Sequence, residues 1–72
     1  MDWRDYIHSD KAILGGKPVF KGTRLSLEHI IELQASGWSD QELYDNYPNL
    51  TPESLQALHA FVFEALQERL RA

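Results

Sequence analysis

The chain has no cysteine, a single methionine, and no lysine or arginine between Arg24 and Arg69. Without cysteine, no disulfide and no thiolate-held metal can staple the fold. No run approaches the roughly 20 apolar residues of a membrane-spanning helix. The opening Met1-Asp2-Trp3-Arg4-Asp5 has mixed charge, unlike the basic and apolar pattern of a secretory leader. A soluble intracellular protein is expected. Its 72 residues make one small domain, and a domain near this size buries only roughly 60% of its unfolded surface. Association is a common remedy for so small a core, so a homodimer is expected.

Catalytic constellations are scarce as well. His8, His29 and His59 share no helical spacing, and His29 with Glu32 is the one close pair on a single face. No metal is expected. Ser26, Ser36, Ser39 and Ser54 fit caps or surface, with no His–Asp arrangement to activate them. The chain is expected to be neither an enzyme nor a cofactor binder.

Charge is unevenly spread. The net charge is −4. Residues 1–24 carry five cations (Arg4, Lys11, Lys17, Lys21, Arg24) against three carboxylates (Asp2, Asp5, Asp10). Residues 25–72 carry eight carboxylates against Arg69 and Arg71. Such a chain offers phosphate a basic end and a basic protein its acidic body.

Lys17, Lys21 and Arg24 lie in Gly15-Gly16-Lys17-Pro18-Val19-Phe20-Lys21-Gly22-Thr23-Arg24. Gly15-Gly16, between Ile13-Leu14 and Val19-Phe20, suggests a turn or hairpin. Pro18 cannot donate to a ladder, so its strand is at an edge or irregular, and an open edge can pair with a second copy. Two-stranded ribbons can enter a DNA major groove, which makes Lys17, Lys21, Thr23 and Arg24 candidate DNA contacts. In the competing reading Gly22 merely permits a turn and Arg24 pairs with Glu28.

Three helix starts share one design. Ser26 is an N-cap, with Leu25 and Ile30 as a hydrophobic staple. Gly37 ends that helix in the left-handed position, with Trp38 folding back on Leu33. Ser39 and Glu42 form a capping box for a second helix, which Pro48 stops near Tyr47. Thr51-Pro52-Glu53 opens a third, running to about Arg71. Its stripe of Leu55, Leu58, Val62 and Ala65-Leu66 is core-like. Phe61, Phe63, Leu66 and Leu70 extend past what two short helices can cover, so they are candidate protein-interface residues.

Residues 39–58 have the pattern of a helix-turn-helix, whose second helix reads base edges with its first residues. Here Thr51, Ser54 and Gln56 are the candidate contacts, with Gln56 suited to adenine and Glu53 to cytosine. No cation nearby neutralises phosphate, so this helix alone is a weak reader.

The ordered set Gly15 to Arg24, then Gly37-Trp38-Ser39 with Glu42-Leu43, then Tyr47-Pro48-Asn49-Leu50-Thr51-Pro52-Glu53, resembles the small bacterial family catalogued as domain of unknown function 433. The resemblance runs from about Ile7 to Phe61. It implies a mainly α, homeodomain-like three-helix helix-turn-helix bundle with a short N-terminal β ribbon. One domain then spans 1–72, with the basic ribbon in 1–24 and the tri-helical unit in 25–72. The resemblance further implies a bacterial cytoplasmic antitoxin that neutralises a PIN-like ribonuclease toxin and binds its operator DNA as a dimer. Many antitoxins block the toxin with a flexible tail. The sequence closes at Ala72, soon after the third helix, so the toxin is expected on that helix or on the ribbon. The other reading is an adaptor that binds protein and no DNA.

Overall fold

Each of the three caps read from the sequence starts a helix. The computed structural model describes residues 1–71. Helix α1 is Leu27–Ala35, α2 is Asp40–Asn46 and α3 is Pro52–Arg71. The His29 N–H donates to Ser26 Oγ at 3.1 Å. Ser39 and Glu42 close the reciprocal capping box, with the Glu42 N–H on Ser39 Oγ at 3.1 Å and the Ser39 N–H on Glu42 Oε1 at 3.0 Å. Thr51 and Ser54 do the same for α3, each backbone N–H donating to the other's hydroxyl at 3.2 Å. Such caps satisfy donors that a helix start leaves orphaned.

Gly37 (φ 99°) stops α1. The Trp38 N–H donates to the Leu33 carbonyl at 3.1 Å and the Gly37 N–H to that of Gln34 at 3.0 Å. That pair of bonds needs a left-handed residue between them, which glycine adopts at little cost.

In front of the helices lies a two-stranded antiparallel sheet, β1 (Ile7–His8) with β2 (Val19–Phe20). Ile7 faces Phe20 and His8 faces Val19. The expected partner of β2 was Ile13-Leu14; the structure corrects this. Leu14–Gly16 forms a 3-10 turn instead, and the pairing reaches back to β1 within one chain. Apolar burial explains the choice, because Ile7 and Phe20 both enter the core while Leu14 stays 41% exposed.

The open edge beside Pro18 is also corrected. The Phe20 N–H donates to the Leu25 carbonyl and the Leu27 N–H to that of Pro18, both at 3.1 Å. With β1 on its other side, β2 has no free edge for a second copy.

One core joins all parts. Ile7, Phe20, Leu27, Ile30, Leu43, Leu50, Leu55, Ala57 and Leu58 are buried together. Each large side chain there contributes about 1.5–3 kcal/mol by leaving water. The N-terminal 3-10 turn Trp3–Asp5 docks on α3. Trp3 meets Phe61 edge-on, with ring centroids 4.8 Å apart, and its indole N–H donates to the Glu64 carboxylate. Phe61, expected at a protein interface, is therefore half-buried against this chain's own core.

Candidate functional site

The turn after β2 aims the basic segment. The Thr23 N–H donates to the Phe20 carbonyl at 3.1 Å, and Gly22 takes a positive φ of 77°. Lys21 sits at the exposed tip. Thr23 holds the turn rather than facing outward: its hydroxyl donates to the Phe20 carbonyl at 2.8 Å and accepts from the Leu25 N–H at 3.0 Å. Lys17 is tied to Glu28 at 3.3 Å. That ion pair replaces the Arg24–Glu28 pair of the competing reading. Among the described residues, Lys21 and Arg24 have no ion-pair partner.

Arg24 borders a groove of about 320 Å³ whose other wall is Asn46, Tyr47, Pro48 and Asn49. The structure thus brings the basic turn to the α2–α3 corner. Tyr47 is fixed there by His29, with the hydroxyl 2.9 Å from Nε2 and the rings edge-on.

The start of α3 is less available. Ser54 is only 8% exposed, and its hydroxyl and that of Thr51 lie 3.1 Å apart inside the cap. Of the three candidate base contacts, Gln56 alone is exposed with its side chain uncommitted.

An acidic face runs alongside. Glu32, Asp40, Asp45 and Glu53 are exposed and without an ion-pair partner among the described residues. The half-buried Tyr44 lies between two of them. Desolvation raises its phenol above the ordinary 10.0, and the charges of Asp40 and Glu53 raise it further. The sequence hinted at this face through its missing cations, yet nothing local placed Glu53 beside α2.

The distal half of α3 forms a third surface. Phe63 is 62% exposed, Leu66 53% and Leu70 85%. Phe63 also walls a groove of about 550 Å³ closed by Met1–Arg4. Sequence reasoning missed the clamp behind it, where Arg4 donates to Glu64 at 3.3 Å beside the Trp3 bond. Trp3, Arg4 and Glu64 carry no short-range signal that links them.

Among the described residues, no group of three or more histidines and carboxylates is placed to hold a metal ion. No described helix is long and apolar enough to cross a membrane.

The architecture defines a small three-helix domain with a two-stranded antiparallel sheet ahead of the helices. The chain belongs to the family described as protein of unknown function DUF433, whose model matches residues 7–62. It is similar to the crystal structure of a DUF433 member protein from Anabaena variabilis. The two are 26% identical with a TM-score of 0.81, over 94% of this chain and 67% of that one. No curated protein matches.

Proposed function

We propose that this protein is an antitoxin-like module that neutralises a basic, PIN-like ribonuclease and contacts operator DNA, acting in the bacterial cytoplasm. The observation that carries the reading is the separation of charge. Lys21 and Arg24 stand unpaired at one corner among the described residues, while the helices carry no cation from Leu25 to Glu68. Their carboxylates complement a surface built to hold RNA phosphate, and such complementarity favours encounter and correct partner choice. The ribbon cations suit DNA phosphate, and reading α2 and α3 as a homeodomain-like helix-turn-helix sets the Arg24 groove beside the duplex.

The test is a pull-down of the tagged chain from its native extract, in nuclease-treated and untreated halves. A small ribonuclease retained after nuclease treatment, and lost with Asp40→Lys plus Glu53→Lys, is the expected result. Recovery of neither protein nor a DNA segment would sink the proposal.

One observation favours the adaptor without DNA. The Thr51 and Ser54 hydroxyls are consumed by their own cap, and Glu53 beside them repels phosphate. Under that reading Lys21→Glu with Arg24→Glu leaves partner binding unchanged and there is no DNA binding to lose.

A further inference from the structure

We infer that the distal half of α3 is a self-association surface, on which a second copy of this chain docks its own α3 antiparallel. Phe63, Leu66 and Leu70 are spaced three and four apart, the spacing of a two-helix seam. Their exposures of 62%, 53% and 85% leave on the order of 350 Å² of apolar surface on one stripe. That is the scale of the largest patch on a typical monomer, and such patches are often functional.

Charge selects the occupant. Elsewhere α1, α2 and the first half of α3 are acidic, so a second copy of a −4 chain is repelled there. The stretch 63–71 instead balances Glu64 and Glu68 against Arg69 and Arg71, which suits neither a strongly basic nor a strongly acidic partner. Charge also selects the direction. A parallel copy sets like charge at each level, whereas an antiparallel copy sets the acidic half of one helix toward the basic tip of the other. Antiparallel packing also opposes the helix dipoles. The buried residues of α3, Ser54, Leu55, Ala57 and Leu58, lie in its first half, so the two bodies then sit at opposite ends.

Size sets the strength. With Val62, Gln67 and Arg71 at the margin, each side reaches roughly 600 Å², the low end of specific interfaces. An interface of that size suits a weak dimer, and dissociation in the ~micromolar range is the expected scale. This inference is independent of the proposed toxin and DNA contacts, because its test reads assembly alone.

The test is sedimentation of the purified full chain from about 1 to 500 μM. A monomer–dimer transition is expected within that range, with association weakened at least ~30-fold by Phe63→Asp or Leu70→Asp. Both positions are exposed, so circular dichroism should stay unchanged. The absence of native cysteine makes single cysteines clean reporters. Gln67→Cys, beside the two-fold axis, should cross-link to its own copy. Leu70→Cys should not, because antiparallel pairing separates its two copies by about 10 Å along the axis, beyond disulfide reach. A monomer throughout, a dimer indifferent to both Asp variants, or Leu70→Cys linking faster than Gln67→Cys would each overturn the inference. So would a chain that is monomeric alone and buries Phe63 only in a complex with a different protein.

Discussion

Trp3 donates its indole N–H to the carboxylate of Glu64 across 61 positions of sequence. The same ring stacks edge-on against Phe61, and Arg4 adds a second donor to Glu64. The N-terminal turn thereby braces the middle of α3, beyond the last fully buried residue, Leu58. Trp3→Ala removes an aromatic contact and a charge-assisted hydrogen bond at a half-buried position, for a cost of about 2 kcal/mol. Urea unfolding should show it, with Trp3→Phe recovering about half.

The pH response of that clamp has a definite sign. The Trp3 hydrogen bond holds the Glu64 carboxyl below its ordinary 4.5 against desolvation, and the Arg4 charge adds a lesser pull in the same direction. A carboxyl lowered in the folded state adds stability above its unfolded value, and that stability is lost as pH falls through the folded value. Wild type should lose stability more steeply than Glu64→Gln below about pH 4.5. Equal slopes in an acid titration would remove the clamp from the account.

Cap substitutions separate two kinds of cost. Ser39→Ala deletes an exposed cap, worth about 1 kcal/mol. Thr51→Ala also takes the hydroxyl partner from the buried Ser54 hydroxyl, which keeps only the bond from the residue-51 backbone N–H, raising the cost to about 2 kcal/mol. Thermal melts of the two variants should rank in that order.

Among the described residues, Leu14 is the one non-glycine residue with positive φ, at 51°. A leucine in that region costs roughly 1 kcal/mol, and its side chain is 41% exposed. Leu14→Asn should therefore stabilise the fold by about 0.5–1 kcal/mol, since asparagine tolerates this conformation. A fall in melting temperature would show that the leucine contact outweighs the strain.

On the proposed operator contact, Lys21→Glu with Arg24→Glu should abolish DNA binding with stability unchanged, because both side chains are exposed and unpaired among the described residues. Titrations at several salt concentrations should show the slope falling by about two when Lys21 and Arg24 are instead replaced by Gln. An unaltered slope would place DNA contact elsewhere or remove it.

The helices were readable because a cap is a local event. Ser26, Ser39 and Thr51 each bond a backbone N–H three residues on, and Gly37 closes α1 with bonds three and five positions long. The exposed stripe of α3 was readable for the same reason, since helical spacing alone sets Phe63, Leu66 and Leu70 on one face.

The sheet was misread where the decision was not local. Gly15-Gly16 does turn, yet the partner of Val19-Phe20 is Ile7-His8, because the core rewards Ile7 with full burial and spares Leu14. Thr23 and Ser54 are candidate DNA contacts by sequence; tertiary placement commits Thr23 to a turn and buries Ser54 in a cap, the other role the sequence offers it.

By itself, then, the sequence determined helix positions, the charge division at Arg24 and the family pattern, all of which depend on neighbours within about one helical turn. Only the tertiary structure decided that Trp3 and Arg4 grip Glu64, that Lys17 rather than Arg24 takes Glu28, and that Arg24 borders Asn49 at the α2–α3 corner. Such contacts join positions far apart in the chain, where the gain comes from burying one shared core and no local preference records the pairing.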